Sequence, residues 1–357
     1  MGNTIMDKAL SFFCAKRVVL TGHTGFKGTW LSKILVDAGA KVLGYSRCSA
    51  KYPDFFALSG VGALPGLRSV KGDVRDLALL EQAFTEFQPE LVFHLAAQPI
   101  VRESYVNPVE TYGTNVMGTV NVLECIRKTP SVKSAVIVTT DKVYRNDETA
   151  RGFREDDRLD GFEPYSNSKS CAELVTACYR RSYPALPPIS TARAGNVLGG
   201  GDFAKDRIIP DCVRAVAAGE PIIVRNPHAV RPFQHVLEAL SAYLLISEKQ
   251  YENPALAGCY NVGPEDADSV TVGELVALVC EKMGGGATWQ DKSDPNAPHE
   301  ASYLKLDHSL ITNTLGWRPK WQIAKCLEQC CRWYRNWLNG GHIPAEMEKE
   351  IGLYLED

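Results

Sequence analysis

The 357-residue chain has no excess of charge of either sign, with 39 Lys and Arg against 42 Asp and Glu and a net charge of −3. An even balance provides no extended basic surface for nucleic acid or for an anionic membrane. No apolar run approaches the roughly 18 residues of a membrane span, and residues 1–16 lack the pattern of a signal peptide. We therefore predict a cytoplasmic protein that binds neither nucleic acid nor membrane.

The sequence also lacks any cysteine pattern that would hold a disulfide framework or a zinc ion. Its eleven cysteines are scattered, odd in number and contain no Cys-x-x-Cys pair. They therefore predict reduced thiols and no metal site. Repeats and low-complexity tracts are absent, while 45% of the residues are hydrophobic and 23% are charged. This composition is typical of a globular protein of roughly two domains.

Short β-branched runs alternate with helical patterns through the first half of the chain. The helical patterns cover 28–38, 77–87, 108–128 and 165–182. Such alternation predicts an α/β fold with a doubly wound parallel sheet of the Rossmann type. The predicted strands are Arg17–Thr21, Lys41–Tyr45, Leu67–Lys71, Leu91–Leu95, Ala135–Thr140 and Ile189–Ala194.

The alternation ends near residue 195, where glycine- and proline-rich segments become frequent. We predict that residues 1–195 form a dinucleotide-binding domain to which the chain returns at about 233–262. Residues 196–232 and 263–357 would form a smaller, mixed α/β domain that binds the substrate.

A glycine-rich turn joins the first predicted strand to the first helix. Glycine allows a tight turn and close approach of the backbone to a pyrophosphate, while the helix N-terminus offers free N–H groups. A glycine-rich surface turn is the alternative, but the position at the first strand–helix junction favours a dinucleotide site. The predicted cofactor contacts in this turn are Gly22, His23, Thr24, Gly25, Phe26, Lys27 and Gly28.

The residues alone leave the identity of the dinucleotide open. Strand two is followed by Ser46 and Arg47, and no carboxylate occurs until Asp54, although NAD sites usually have one here. Arg47 could meet the 2′-phosphate of NADP or lie on the solvated surface. Asp73, after strand three, could bond the adenine amino group or cap the following helix.

A phenol and an ammonium are spaced to share one helix face. Tyr165 and Lys169 are four residues apart, and a neighbouring lysine and a cationic nicotinamide both favour the phenolate form of a tyrosine base. Thr140 lies 25 residues before Tyr165 at the end of the fifth predicted strand, followed by Asp141 and Lys142. Carboxyl ends of strands are where open α/β sheets bind ligands, so these side chains predict a catalytic site.

These motifs resemble the extended short-chain dehydrogenase/reductases, also called the NAD-dependent epimerase/dehydratase family. The resemblance covers essentially the whole chain and extends to four further segments. It implies bound NAD in preference to NADP, and a homodimer or homotetramer built through residues 108–128 and 165–182. The further segments are Gly72–Arg75, His94–Gln98, Asn115–Thr119 and Arg193–Val197.

Within that family, Thr140 and Asp141 resemble the nucleotide-sugar 4,6-dehydratases, in which the next residue is usually Glu. Lys142 stands there instead, and with the loop at 21–28 the resemblance implies CDP-glucose as the substrate, in bacterial O-antigen synthesis. The resemblance implies that Tyr165, with Lys169 and Thr140, takes the proton of the 4-hydroxyl while hydride passes to NAD.

The resulting 4-ketone acidifies the C5 proton, and the same resemblance assigns the elimination that follows. Asp141 would protonate the leaving 6-hydroxyl and Lys142 would take the C5 proton before hydride returns to C6. Lys142 could instead orient Asp141 or hold a water that acts as the base.

The resemblance also implies further binding residues. Some have structural alternatives: a loop cap for Asn196, a solvated cation for Arg207, a buried structural histidine for His299 and a core tyrosine for Tyr303. The further cofactor contacts would be Ser46, Arg47, Asp73, Val74, Leu95, Ala96, Ala97, Thr114, Thr139, Tyr165 and Lys169. The substrate contacts would be Gln98, Asn196, Arg207, Ile208, Arg225, Arg231, His299 and Tyr303.

Two other functions fit the same fold. An NAD(P)-dependent nucleotide-sugar epimerase or reductase would use Tyr165 and Lys169 but would not need the Asp141–Lys142 pair. A non-catalytic dinucleotide-sensing protein would need neither, so the intact Tyr165 and Lys169 argue against it.

Overall fold

The computed structural model describes residues 10–47, 53–293 and 302–357. Seven parallel strands form one large sheet, and six short strands form three two-stranded sheets. In chain order the strands are β1 (Arg17–Thr21), β2 (Lys41–Ser46), β3 (Leu67–Lys71), β4 (Leu91–His94), β5 (Ser134–Val138), β6 (Ile189–Ala194), β7 (Asn196–Leu198), β8 (Ile222–Val224), β9 (Val230–Arg231), β10 (Phe233–His235), β11 (Cys259–Val262), β12 (Val270–Thr271) and β13 (Trp289–Asp291).

Helices cover both faces of the large sheet. They are α1 (Phe26–Asp37), α2 (Phe55–Leu58), α3 (Leu77–Phe87), α4 (Val101–Val106), α5 (Pro108–Tyr112), α6 (Gly118–Lys128), α7 (Pro164–Ser182), α8 (Ile208–Ala218), α9 (Val236–Glu252), α10 (Val272–Met283), α11 (Ser309–Leu315), α12 (Ile323–Leu338) and α13 (Ile343–Glu356). No described helix is long and apolar enough to cross a membrane.

The order of the large sheet is β11-β6-β5-β4-β1-β2-β3. Two apolar cores cover its faces, one containing Trp30, Tyr243 and Trp333 and the other containing Phe84 and Leu123. The chain winds outward from β1 through β2 to β3 and then crosses to β4 on the other side of β1. This reversal opens a crevice at the carboxyl ends of β1 and β4, where such sheets bind ligands.

All six predicted strands are confirmed, and so is the α/β doubly wound class. β1, β3 and β6 have the predicted bounds, whereas β5 ends two residues early at Val138. The chain leaves the sheet there because Thr140 begins a 3₁₀ turn (Asp141–Val143), accepting from the Lys142 N–H at 3.4 Å.

One predicted helix is interrupted. Residues 108–128 are divided by a π-helical turn at Gly113–Met117, which separates α5 from α6. Such π turns are rare, so the sequence pattern did not predict one here, and they are frequent at functional sites.

Beyond β6 the chain contributes to two regions. β11 pairs with β6 in the large sheet, and α9 packs on β5. The three small sheets pair β10 with β7, β12 with β9 and β13 with β8. The division into a cofactor domain and a substrate domain stays a prediction.

Candidate active site

The glycine turn is built so that its backbone lies open at the crevice. Gly22 has φ +76° and its N–H donates to the Tyr45 carbonyl at 2.8 Å. A Cβ on Gly22 would lie 2.8 Å from the Ala96 nitrogen, and one on Gly28 would lie 2.1 Å from the Gly22 carbonyl oxygen. Glycine is therefore required at both positions, and the N-terminus of α1 is left bare for a pyrophosphate.

Two side chains of the turn point inward to the protein. His23 is buried, its Nε2 lies 2.7 Å from Ser69 Oγ, and burial lowers its pKa to about 4. Its imidazole fills the space beside Gly44, so the backbone of His23 faces the turn and its predicted cofactor contact stays a prediction. Thr24 Oγ1 lies 2.8 Å from Ser46 Oγ and ties the turn to β2.

Lys27 reaches from the first turn of α1 toward the catalytic residues. Its Nζ donates to the Tyr243 hydroxyl at 3.3 Å. Burial first, and then the nearby charges of Lys169 and Arg207, lower the Lys27 pKa to about 7, while Asp141 opposes them. Lys27 therefore lies close to the charges of Lys169, Arg207 and Asp141.

The end of β2 and the end of β3 carry opposite charges. Arg47 Nη1 lies 2.8 Å from Glu110 Oε1 and 3.9 Å from Asp73 Oδ2. Asp73 is bound by Arg75 through Nη2 at 2.6 Å, and this hydrogen bond holds the Asp73 pKa below its usual value. The capping interpretation of Asp73 is wrong, because Asp76 caps α3 by accepting from the Leu79 N–H at 3.1 Å.

Tyr165 and Lys169 lie in the first two turns of α7. The helix begins at Pro164 and is capped by Glu163, whose Oε2 accepts from the Tyr165 N–H at 2.7 Å. Lys169 Nζ donates to the Val138 carbonyl at 3.0 Å. The amine is therefore fixed at the end of β5, behind the phenol.

Burial changes the pKa of both groups. It raises the Tyr165 pKa to about 12, against a hydrogen bond with Thr140 and the charge of Arg207. Burial lowers the Lys169 pKa to about 8, and Glu173 opposes this. The expectation that Lys169 would favour the phenolate is therefore outweighed within the protein itself by desolvation of the phenol.

Asp141 and Lys142 lie side by side at the end of β5. Asp141 is 1% exposed, and its Oδ1 accepts from Thr140 Oγ1 at 2.9 Å. Within the described residues its Oδ2 is buried without a hydrogen-bond partner. Lys142 Nζ donates to Asn196 Oδ1 at 3.1 Å and lies 3.8 Å from Asp141 Oδ1. A carboxyl and an amine thus face the crevice where Tyr165 lies.

The remaining predicted cofactor residues differ in whether their polar groups are free to bond a ligand. The N–H groups of Leu95 and Ala96 donate to the Thr21 carbonyl and hydroxyl at 3.2 and 3.3 Å, which places the end of β4 against Gly22. Ala97 follows them and is half-buried. The buried Thr114 hydroxyl has no hydrogen-bond partner in the described part of the chain and could bond a ligand.

Three other predicted cofactor residues have side chains that contact other parts of the protein. Thr139 Oγ1 donates to Glu173 Oε1 at 2.5 Å, so its hydroxyl does not face a ligand. Val74 is buried and packs against Gly118. Phe26 is half-buried beside Gly199.

The Gln98 side chain is bonded within the protein, and its predicted contact with substrate stays a prediction. Gln98 is buried, and its Nε2 donates to Thr111 Oγ1 at 2.9 Å and to the Ile100 carbonyl at 3.1 Å. The Gln98 amide therefore shapes the loop after β4. Asn115 also holds this loop, because its side chain accepts from the Gln98 N–H at 2.8 Å and donates to the Gln98 carbonyl at 3.0 Å.

Arg207 and Ile208 lie at the start of α8. Arg207 Nη1 lies 2.9 Å from Asp202 Oδ2, and its charge also acts on Tyr165. The arginine predicted for the diphosphate is thus close to the catalytic phenol, and Ile208 begins the helix directly after it.

The other predicted substrate residues lie along the small sheets. Arg231 is buried on β9, and the bridge between Val230 and Tyr303 brings Arg231 and Tyr303 onto neighbouring segments. Arg225 is exposed and lies 3.4 Å from Asp206. His299 falls outside the described residues, so its predicted contact stays a prediction.

Glu163 and Pro164 predict a helix start from the sequence, because Pro is tolerated in the first turn, and the helix does begin there. Sequence reasoning missed Glu173 and Tyr243. Glu173 had a weak signal, at four residues beyond Lys169. Tyr243 had none, because only the packing of α9 on α1 brings it to Lys27.

The donor set fits a dinucleotide and does not fit a metal. The turn leaves no room for a Cβ at Gly22 or Gly28 and exposes the helix N-terminus, which suits a pyrophosphate. Across residues 10–47, 53–293 and 302–357, no cluster of three His, Cys, Asp or Glu side chains could hold a metal ion.

Comparison with known proteins shows the family to which the chain belongs. The family model described as GDP-mannose 4,6 dehydratase matches residues 19–330. The CDP-glucose 4,6-dehydratase of Salmonella typhimurium is 43% identical over 98% of this chain and 99% of its own length. The dTDP-glucose 4,6-dehydratase of Streptomyces venezuelae, solved with NAD and TYD bound, has a TM-score of 0.79 and 25% identity, with 91% of this chain and 98% of that chain covered.

An epimerase of Methanothermobacter thermautotrophicus has the same fold. Its TM-score is 0.82 at 23% identity, and the match covers 95% of this chain and 99% of that chain. The fold by itself therefore does not separate a dehydratase from an epimerase, and the distinction depends on the site.

Proposed function

The chain belongs to the GDP-mannose 4,6 dehydratase family, and from this membership we propose that it converts CDP-D-glucose to CDP-4-dehydro-6-deoxy-D-glucose and water. The 43% identity with a CDP-glucose 4,6-dehydratase over nearly the whole chain supports an NAD-dependent hydro-lyase with this substrate. The setting we propose is deoxysugar synthesis for the O-antigen of lipopolysaccharide, in the cytoplasm.

One observation carries the proposal: the buried Oδ2 of Asp141 has no hydrogen-bond partner among the described residues. An unpaired buried carboxylate oxygen is costly and is retained where a ligand group completes it. An epimerase needs no such group, whereas loss of water from C6 requires an acid beside the leaving hydroxyl.

The residues divide the reaction into two parts. Tyr165, bonded to Thr140, takes the proton of the 4-hydroxyl. The chemistry that NAD supplies when bound is reversible hydride acceptance, first from C4 and then returned to C6. Asp141 gives a proton to the departing 6-hydroxyl. Lys142 takes the C5 proton that the 4-ketone has acidified and gives it back to C5 when hydride returns to C6. The protein therefore needs no external reductant or oxidant.

The part of the site that would hold the adenosine fits NAD better than NADP. Arg47, the residue that could have met a 2′-phosphate, lies between Glu110 and Asp73. Its charge is already balanced by these two carboxylates, which would also repel an added phosphate. The Asp73 carboxylate would instead accept from the adenine amino group.

A homodimer fits the exposed apolar side chains on the outer helices. Val109 is 86% exposed, Met117 53% and Leu174 56%. They lie on α5, the π turn and α7, which pack side by side. Exposed apolar side chains on neighbouring helices indicate association, and a second copy that presents the same helices would cover them.

The substrate assignment is tested with a panel of CDP-, UDP-, dTDP- and GDP-glucose. We expect CDP-glucose to give the base-labile absorbance of a 4-keto sugar without added NAD, and Asp141→Asn to lose this product by about 10²-fold or more. Turnover of another nucleotide glucose in preference to CDP-glucose would contradict the substrate assignment. Wild-type turnover by Asp141→Asn would contradict its role as the acid.

A further inference from the structure

A buried glutamate lies directly behind the catalytic lysine. Glu173 follows Lys169 by four residues on α7, so the two share one face of the helix. Glu173 is 2% exposed. Its Oε1 accepts from Thr139 at 2.5 Å, and its Oε2 accepts from Thr191 at 2.7 Å and from Arg193 at 2.9 Å. Both carboxylate oxygens are therefore engaged, and the side chain is fixed in place.

The three donors connect α7 with the centre of the sheet. Thr139 directly follows β5 and precedes the catalytic Thr140, while Thr191 and Arg193 lie on β6. Arg193 is held in turn by the Tyr144 hydroxyl at 2.8 Å from its Nη1. The carboxylate of Glu173 thus joins the helix of the catalytic phenol to the strand end that carries the acid.

Glu173 is also the carboxylate whose charge acts on Lys169, whose pKa burial lowers to about 8. The other titratable groups of the site come from several elements. Tyr165 precedes Lys169 on α7, and Asp141 begins the turn that follows β5. His94 on β4 has its pKa lowered by burial to about 3 and is neutral, and Lys27 on α1, whose pKa burial lowers to about 7, adds positive charge when it is protonated. Arg193 on β6 pairs with Glu173 from the far side.

We propose that Glu173 is a positioning residue with two effects. It keeps Lys169 charged behind Tyr165, and it ties the strand end that bears Thr140 and Asp141 to the same helix. The proposal rests on the proposed function, in which Tyr165 and Lys169 serve the hydride step. It assigns a role to a side chain that need not touch cofactor or substrate.

Glu173→Gln tests the charge because it keeps the shape and removes the ionised carboxylate. With Lys169 less readily protonated, the alkaline limb of the pH–rate profile moves down by about one pH unit, so activity falls more at pH 8 than at pH 6.5. Glu173→Asp, which keeps the charge, leaves the alkaline limb of the pH–rate profile at its wild-type pH. Glu238→Gln, another buried glutamate outside the site, is the matched control and keeps the wild-type profile.

A direct titration does not depend on turnover. In the holoenzyme with ¹⁵N-labelled lysine, the Lys169 signal, assigned by its loss in Lys169→Met, titrates about one pH unit lower in Glu173→Gln than in wild type. This measurement distinguishes the titration of Lys169 from that of Lys27, and it remains valid even if CDP-glucose proves not to be the substrate. An unchanged titration, or a loss of activity equal at every pH, would overturn the proposal.

Thr139→Val tests whether the bond to Glu173 positions the end of β5, and it remains available as a test if Glu173→Gln does not fold. It removes the hydroxyl donor and keeps the charge. We expect kcat to fall about tenfold with the alkaline limb unmoved, because Thr140 loses its fixed position. Wild-type kcat in this variant would overturn the positioning role.

Discussion

Two lysines and one aspartate at the end of β5 have different surroundings, and this difference separates their roles. Lys169 is buried and bonded to a backbone carbonyl, which suits a fixed charge. Lys142 is 26% exposed and bonded to Asn196, so it can move onto a substrate. Asp141 is fixed through one oxygen and free through the other.

Lys142→Ala separates its two possible roles. If Lys142 is the C5 base, the variant oxidises C4 and then stops, so the absorbance of bound NADH accumulates while product formation falls by about 10²- to 10³-fold. Stopped-flow absorbance with product analysis measures both. Lys133→Ala, at the other, exposed end of the same strand, is the control and should behave as wild type. Wild-type turnover by Lys142→Ala would remove the residue from the mechanism.

At the scale of elements, the regular parts of the molecule were predictable and the irregular parts were not. β-branched runs and glycine spacing located the strands and the turn because both are local properties. The inward orientation of the His23 side chain and the role of Gln98 could not be predicted. His23 is held by Ser69 and Gln98 by Thr111, and neither partner is a near neighbour in the sequence.

The glycine turn makes an element-scale prediction. Gly28→Ala would place a Cβ 2.1 Å from the Gly22 carbonyl oxygen, and backbone cannot yield cheaply there. We expect a loss of roughly 1–3 kcal/mol of unfolding free energy and at least a tenfold fall in the NAD that copurifies. Urea unfolding and dinucleotide release measure the two.

Gly352→Ala is the matched control for that substitution. Gly352 lies within α13, and a Cβ there meets no heavy atom within 4 Å. An alanine in a helix interior should stabilise the protein by about 0.5–1 kcal/mol. Equal behaviour of the two variants would contradict the account of the turn.

At the scale of the whole molecule, the chain combines a cofactor crevice in the large sheet with small sheets that carry Arg231 and Tyr303. The near-neutral charge balance fits this arrangement. Two diphosphates would be bound by a bare helix N-terminus and individual arginines, without a basic surface.

The proposed dimer is a whole-molecule prediction. Val109→Lys places a charge in the centre of the apolar surface, and we expect it to dissociate the dimer to single chains because the buried charge would be unpaired. Sedimentation measures the state. Leu338→Lys, an exposed apolar residue at the end of α12, should leave assembly unchanged. If Val109→Lys assembles as the wild type does, the dimer interface does not include this surface.

The most direct test of the central claim follows the hydrogen at C4. The purified enzyme is incubated with CDP-glucose deuterated at C4, and the product is examined by NMR. The account predicts deuterium at C6 of a 4-keto-6-deoxy sugar, with no net formation of free NADH. Deuterium returned to C4 of an epimerised sugar, or delivered to external NAD, would contradict it.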